Sequence, residues 1–289
     1  KRRMKSAGDL LSVVKTMKAL AAVSIRQYQR AVDSLRDYNR TVEMGLQIVL
    51  KERMGATMKR KNAPIKRLGV IVFGSDQGLC GQLNEQISVF ALDHIKSTGV
   101  KKENRKVLSV GARVADYVED AGQPVDELLS TPGSTAGITP LVQEIIMIID
   151  EWHFRGNVDH FFLFYNEYLT GATYRPHMLQ LLPVDADWLK QIARKKWESK
   201  SLPIFRMDGD KIFSSLIREY LFVSLYRAFA ESLASENASR LASMQNAEKN
   251  IEEQLLDLHV QFHRTRQMTI TEELLDIVAG FEALQEEAS

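Results

Sequence analysis

The sequence predicts an α/β protein: a long antiparallel coiled coil formed by the N- and C-terminal helices, with a central Rossmann-like α/β domain. Three observations predict it. After Pro203 there is no further proline, and a four-and-three count from Leu216 gives Tyr220, Val223, Arg227, Ala230, Ala234, Asn237, Leu241, Met244, Glu248, Ile251, Leu255, Leu258 and Phe262. Only Arg227, Asn237 and Glu248 in that series are not apolar or aromatic, so the stretch reads as one helix with a partner along its seam. The same count from Leu10 gives Val14, Met17, Ala21, Ser24, Tyr28, Ala31, Leu35, Tyr38, Val42, Gly45 and Val49, broken only at Ser24 and Gly45. Between the two patterns lie all seven prolines and eleven of the sixteen glycines, the punctuation of short alternating elements.

These patterns place an N-terminal helix in residues 1–61, an α/β domain in 64–203 and a C-terminal helix in 208–287. At a 1.5 Å rise per residue the last would be roughly 120 Å long, so the expectation is a helix that projects beyond any globular body. The two terminal stripes are most simply buried against each other. Small residues on both sides (Ala19, Ala21, Ala22 and Ala31; Ala228, Ala230, Ala234, Ala238 and Ala242) allow the backbones to approach closely. Residues 220–234 are apolar on more than one face, which predicts burial among several neighbours.

Within the middle segment, residues 67–74 form a continuous apolar run ending in glycine, the signature of a buried parallel strand. Helical spacing follows in 82–96, a second strand in 106–111, and a short helix in 112–119. An amphipathic helix is expected over 139–153, a third strand over 158–168 and a fourth over 177–184. Strands alternating with helices in this way predict helices covering a largely parallel sheet. Residues 189–199 fit a loop and a solvated helix equally well.

Composition excludes several classes of function. Hydrophobic content of 45% and charge of 26% are those of an ordinary soluble protein, and the longest apolar runs, such as 145–149, are far too short to span a bilayer. No secretory signal is visible. The single cysteine, Cys80, excludes an internal disulfide and suits a reducing compartment. A net charge of +1 argues against nucleic acid as a partner. That total conceals an asymmetry. Residues 1–61 carry fifteen Lys or Arg against five Asp or Glu, and residues 236–289 carry four against eleven. Two readings fit: attraction between the terminal helices, and an encounter with a charged partner.

The most site-like stretch is Gly74-Ser75-Asp76-Gln77-Gly78-Leu79-Cys80-Gly81, where a strand gives way to a helix. Such turns hold phosphates in many α/β folds. The spacing here fits neither GxGxxG nor a P-loop, and Asp76 would repel an anion, so the expectation is a structural turn. Cys80 lacks a neighbouring base. His259 and His263 stand at i, i+4, but Val260 occupies the place of a general base, and His153 and His160 have no evident third ligand. The sequence predicts neither a catalytic constellation nor a metal site, and no cofactor.

The residues do resemble one family. Residues 2–29, with Ser6, Met17 and Ala21-Ala22, are similar to the opening helix of the gamma subunits of rotary F-type ATP synthases. SDQGLCGQLN (75–84) resembles that family's SDRGLCG…N signature through Ser75, Asp76, Gly78, Leu79, Cys80, Gly81 and Asn84, with Gln77 in place of arginine. Residues 235–251 and 266–284 are similar to its C-terminal helix. The resemblance implies a central rotor stalk inside a ring of alpha and beta subunits, with the α/β domain against the epsilon subunit and the membrane ring of c subunits. It implies a peripheral position on the cytoplasmic face of a bacterial inner membrane, and catalysis on the beta subunits rather than on this chain. It implies coupling contacts at Met17, Lys18, Arg266, Gln267, Thr271 and Glu273. Departures in 12–22, at His263 and at Phe281 point to a divergent branch such as the sodium-linked bacterial ATPases. A coiled-coil scaffold with an appended α/β module is the alternative that the heptads alone leave open.

One irregularity bears on the tip. After Phe262 the next apolar set, Ile270, Leu274, Ile277, Phe281 and Leu284, is displaced by one residue, a stutter that turns the stripe to a new face. The expectation is that this face meets another subunit.

Overall fold

The computed structural model describes residues 1–53, 65–197 and 208–287, with the side chains of 52, 53 and 279–287 excepted. Its elements are α1 (Arg2–Arg53), β1 (Leu68–Phe73), α2 (Leu83–Ser97), β2 (Arg105–Val110), α3 (Ala112–Asp120), β3 (Glu127–Leu129), α4 (Ile138–Phe154), β4 (His160–Thr170), β5 (Thr173–Leu182), α5 (Ala186–Arg194) and α6 (Gly209–Glu287). The chain divides into two compact units, one made of residues 1–20 and 242–289 and the other of residues 21–241.

The larger unit is built on a five-stranded sheet in the order β3-β2-β1-β4-β5. β1 pairs in parallel with β2 and β4, and β2 with β3, whereas β5 returns antiparallel to β4 across a tight turn at Gly171. The sheet is therefore parallel except at one edge. The three-residue β3 escapes the sequence reading because it is too short to show a period. β5 begins four residues before the expected fourth strand, because the hairpin turn needs only Gly171 in a left-handed conformation to reverse the chain.

Both faces of the sheet are covered, which explains why all six residues of β1 are buried. One face presents Ile71, Phe73, Leu108, Val110, Phe161, Leu163 and Leu181 to α4 and to the buried stretches of α1 and α6. The other presents Val70, Val72, Val107, Phe162 and Phe164 to α2 and α3. Gly69 is required where α4 leads back into the sheet: a Cβ there would stand 2.5 Å from the Phe161 ring. Phe229 of α6 meets Phe73 edge-on, with ring centroids 4.5 Å apart, and is 1% exposed.

A second core lies among α1, α5 and α6. Val42, Leu46 and Leu50 pack with Leu189, Ile192 and Ala193, and Phe213, Leu216 and Ile217 close over them. The stretch that fitted loop or helix is thus a helix over Ala186–Arg194, capped by the Asp185 carboxylate, which accepts from the Asp187 N–H at 2.9 Å. Its apolar face is buried, and Trp188 lies 4.8 Å from the Tyr220 ring. Gly45 proves to be a point of contact rather than a flaw in the heptads: a Cβ there would fall 2.8 Å from Leu216 Cδ2.

In the smaller unit α1 and α6 run antiparallel, as the pairs 15–252 and 18–248 require. Their seam is shallow: Val14 and Met244 are buried, whereas Met4, Ala7, Leu11, Met17, Ile251, Leu255, Leu258 and Phe262 are half-buried. Leu10 is 57% exposed, contrary to its place in the predicted stripe, because the first turns of α1 meet the partner through Met4, Ala7 and Leu11 instead. In the larger unit Tyr38 also leaves the stripe; it is exposed, and its hydroxyl donates to Glu219 at 2.6 Å. Arg227 likewise turns outward from the α6 series. From residue 263 to 278 every residue of α6 is exposed, Ile270, Leu274 and Ile277 among them, so the displaced stripe has no cover from this chain among the described residues.

Phe229 is the anchor of α6 on the sheet. Replacement by alanine should cost about 3–5 kcal/mol, the usual range for emptying a buried aromatic site. Chemical denaturation of the purified chain would measure it, and a loss below about 1 kcal/mol would contradict this account of the core.

Candidate functional site

The turn after β1 is held together by its own side chains. The Ser75 N–H donates to Asn84 Oδ1 at 2.9 Å, and Asn84 Nδ2 donates to Ser75 Oγ at 2.9 Å. Ser75 Oγ donates in turn to the Gln77 carbonyl at 2.8 Å, and Cys80 Sγ lies 3.5 Å from both Ser75 Oγ and Asn84 Nδ2. Ser75, Cys80 and Asn84 are buried. This reciprocal arrangement closes the loop onto the first turn of α2 and satisfies polar groups that burial would otherwise penalise. Two residues take left-handed backbone, Gly81 at φ 57° and Leu79 at φ 62°. Leucine is disfavoured there, and the surrounding bonds hold it with its side chain 61% exposed.

Asp76 explains why this strand end is not an anion site. Its Oδ1 accepts from the Ala112 N–H at the start of α3 at 2.9 Å. Its Oδ2 accepts from the Thr131 N–H at 2.7 Å and the Thr131 hydroxyl at 2.9 Å. The carboxylate therefore occupies the helix N-terminus that a phosphate would seek. Gly111, at φ 109°, lets β2 pass close by: a Cβ there would stand 2.8 Å from the Ser75 backbone. An open cleft beside the turn is lined by Leu79, Arg113, Asp116, Tyr117, Glu119 and Asp120, an acidic rim unsuited to nucleotide phosphates.

The turn is also tied to α6. From 228 to 236 every residue of α6 is buried, and Ser235 and Ser239, one helical turn apart, both reach the α/β body. Ser239 Oγ donates to the Cys80 carbonyl at 2.5 Å, and Ser235 Oγ lies 2.9 Å from the Asn166 carbonyl. Two carboxylates share this stretch. Glu236 pairs with Arg240 at 2.6 Å, and Glu231 with Arg227 at 2.6 Å. Burial raises both carboxyl groups above their ordinary value, against the lowering influence of each arginine, and Glu167 adds to the rise at Glu231. None of these α6 contacts was foreseen. The signal was present as serines and glutamates inside an alanine-rich stretch apolar on several faces, where each polar side chain must find a partner.

The residues expected at the coupling surface fall into two groups. Met17 and Lys18 lie on α1 in the smaller unit, where the Lys18 ammonium donates to the Glu248 carboxylate and is 35% exposed. Lys15 reaches Glu252 at 3.1 Å and Glu248 at 3.8 Å. These lysines hold the Glu248 carboxyl below its usual range. The opposed charges of the two helices thus meet directly here. Arg266, Gln267, Thr271 and Glu273 stand along the exposed part of α6, with the Thr271 hydroxyl donating to the Gln267 carbonyl at 2.9 Å. The structure does not bring the two groups together into one site. Among the described residues, no group of three or more His, Cys, Asp or Glu is placed to hold a metal.

Geometry alone defines a paired-helix protein carrying an α/β body, with a strand-end turn that serves the fold and a long exposed helical segment. Comparison with known proteins gives the family. A family model described as ATP synthase matches residues 1–284. The ATP synthase gamma chains of Heliobacterium modesticaldum and Pasteurella multocida are 29% and 27% identical, each comparison covering 98% of this chain and 97% of the relative. A chain in the OSCP/F1/c-ring structure of Euglena gracilis mitochondrial ATP synthase has the same fold, with a TM-score of 0.70 at 17% identity over 100% of this chain and 94% of that one. A chain in the central stalk/c-ring structure from Tetrahymena thermophila gives 0.57 at 18% identity, over 81% of this chain and 99% of that one. The chain belongs to the gamma-chain family of ATP synthases. An unrelated coiled-coil scaffold is not favoured, since the match runs the length of both helices and the α/β body alike.

Replacing Asp76 by alanine removes three hydrogen bonds at the α3 terminus and the Thr131 loop and should cost about 2–4 kcal/mol, measured by denaturant unfolding. The Glu231 carboxyl has a raised folded pKa, so its ionisation costs stability at neutral pH, and that cost disappears as pH falls through the raised value toward the ordinary 4.5. The Glu231→Gln variant should accordingly melt above the wild type at pH 8, and the difference should shrink as pH is lowered. A difference that grew toward acid pH would contradict the assignment.

Proposed function

We propose that this chain is the central rotor stalk of an F-type ATP synthase, coupling ion-driven rotation of the membrane c-ring to ATP synthesis or hydrolysis on the alpha/beta hexamer. The observation that carries the reading is the family match over residues 1–284, helices and body together. On this reading the chain is not itself an enzyme. Bond chemistry belongs to the beta subunits, and this chain supplies an asymmetric surface that each beta subunit meets in turn. Its partners are the alpha and beta subunits, the epsilon subunit and the c-ring, and its place is the cytoplasmic face of a bacterial inner membrane. No helix among the described residues is long and apolar enough to cross a membrane, in keeping with peripheral attachment.

The coupling roles follow from chemistry and exposure. Arg266 and Gln267 have free donors to offer carboxylates and carbonyls of the ring, and Glu273 adds a charge one to two turns on. Met17 presents a soft side chain that tolerates repacking as the contacted face changes. Lys18 is already paired with Glu248, so an acidic loop of the hexamer competes for an ammonium held within the chain, an exchange weakened by salt. The exposed stripe of Ile270, Leu274 and Ile277 seats the end of α6 in an apolar bearing.

Co-expression with the alpha and beta subunits tests the whole reading. A complex with ATPase activity should be recovered, and its absence would overturn the assignment. Deleting residues 270–289 should leave the unfolding of the remaining chain little changed while weakening its retention in the complex by about tenfold, read as dissociation on dilution, since several exposed apolar side chains lose their bearing.

A further inference from the structure

The contacts between α6 and the α/β body are unequal, and the difference bears on how rotation passes between them. Ser239 has one carbonyl within reach, that of Cys80, and its oxygen also lies 3.4 Å from the Tyr174 hydroxyl of β5. It thereby joins three elements: the helix, the strand-end turn and the β4–β5 hairpin. Ser235 has two carbonyls to choose between, Asn166 of β4 at 2.9 Å and Glu231 of its own helix at 2.8 Å, and only one proton to give. Pro176 stands opposite Asn166 in the ladder and has no N–H to offer it. If α6 turns slightly against the body, Ser235 transfers its hydrogen bond to Glu231 with no bond lost. The second partner of Ser239, the Tyr174 hydroxyl, also belongs to the body, so a donor that leaves Cys80 has no carbonyl of its own helix to follow and remains buried at 6% exposure.

We infer that Ser239 is a positioning residue that sets the angle of α6 relative to the α/β body through the Cys80 carbonyl, while Ser235 is a yielding contact that follows small rotations. The inference rests on the rotor reading, and it locates where twist is resisted within the stalk. Neighbouring Ala234 and Ala238, at 1% and 0% exposure, bring the backbones close but resist rotation only through shape. The directional contact is the hydroxyl.

The test uses the full chain assembled with cysteine-free alpha and beta subunits, the hexamer held on a surface, and a bead attached through cysteine replacing Lys96, an exposed position on α2. Cys80 is buried and does not compete for the label. With rotation halted by a non-hydrolysable nucleotide, the angular variance of the bead reports the compliance between body and hexamer. Ser239→Ala should raise that variance by about twofold or more, the directional tie to the body being lost and shape alone left to resist rotation, with Ser239→Thr restoring it and Ser235→Ala leaving it unchanged. Wild-type variance in Ser239→Ala, or an equal rise in Ser235→Ala, would overturn the proposal. So would a Ser239→Ala chain that fails to assemble while Ser239→Thr assembles, since the hydroxyl would then be a requirement of folding. A wild-type complex without ATP-driven stepping would overturn the rotor reading and this proposal with it, whereas normal stepping with unaltered variance would remove only the proposal.

Discussion

The structure depends on a helix that is buried on all sides for about two turns. Between residues 228 and 236 no face of α6 is left to solvent, so its backbone must lie close to the sheet and its polar side chains can find partners only within the protein, which Ser232 Oγ and Glu231 Oε2 do not. Ala228, Ala230 and Ala234 meet the first requirement by offering only a methyl group. The second accounts for the two Glu–Arg pairs at i, i+4 and for hydroxyls aimed at carbonyls of the body. Where this constraint relaxes, beyond residue 241, the same helix becomes half of a shallow two-helix seam, and beyond 262 it has no partner in the chain among the described residues. One continuous helix thus passes through three environments, set by what surrounds it.

The strand-end turn illustrates how a position suited to ligand chemistry can be given over to architecture. Its ingredients are those of an anion site: a buried strand, a glycine-rich turn and a helix start. Asp76 supplies the anion from within the chain, and Asn84 and Ser75 consume the remaining donors. The result connects β1, α2, α3, the loop at Thr131 and, through Cys80, α6. The donors that a phosphate would seek are thus engaged in joining elements of the fold. The acidic cleft alongside is consistent with that economy.

Charge on the two terminal helices is partly matched within the chain. Lys15 and Lys18 meet Glu248 and Glu252 across the seam, which accounts for part of the opposed charge of the two segments. Partly exposed pairs of this kind contribute little to stability but discriminate against a shifted register, since sliding one helix would part the lysines from their carboxylates. At the start of α1, Lys1 lies over the Phe262 ring, and Arg2 and Arg3 line a groove shared with Asp257, so basic residues there face α6 as well.

Much of this was legible in the sequence. Hydrophobic period alone determined the two terminal helices, the buried strands and the alternation between them, because burial of a stripe or a face repeats at the period of the element that carries it. The stutter after Phe262 likewise foretold that Ile270, Leu274 and Ile277 would lie off the seam. The short β3, the antiparallel β5 and the helix at α5 were decided by the tertiary structure, since three residues have no period, strand direction depends on the neighbour, and a nine-residue amphipathic stretch is held as a helix only once a groove receives it. The turn is the clearest division. Its glycines and its mismatch to phosphate-binding spacings could be read directly, but that Asp76 caps α3 and that Ser239 reaches Cys80 could not. Those bonds join residues 36 to 159 positions apart, and local pattern carries no information about which distant backbone group a buried hydroxyl or carboxylate will meet.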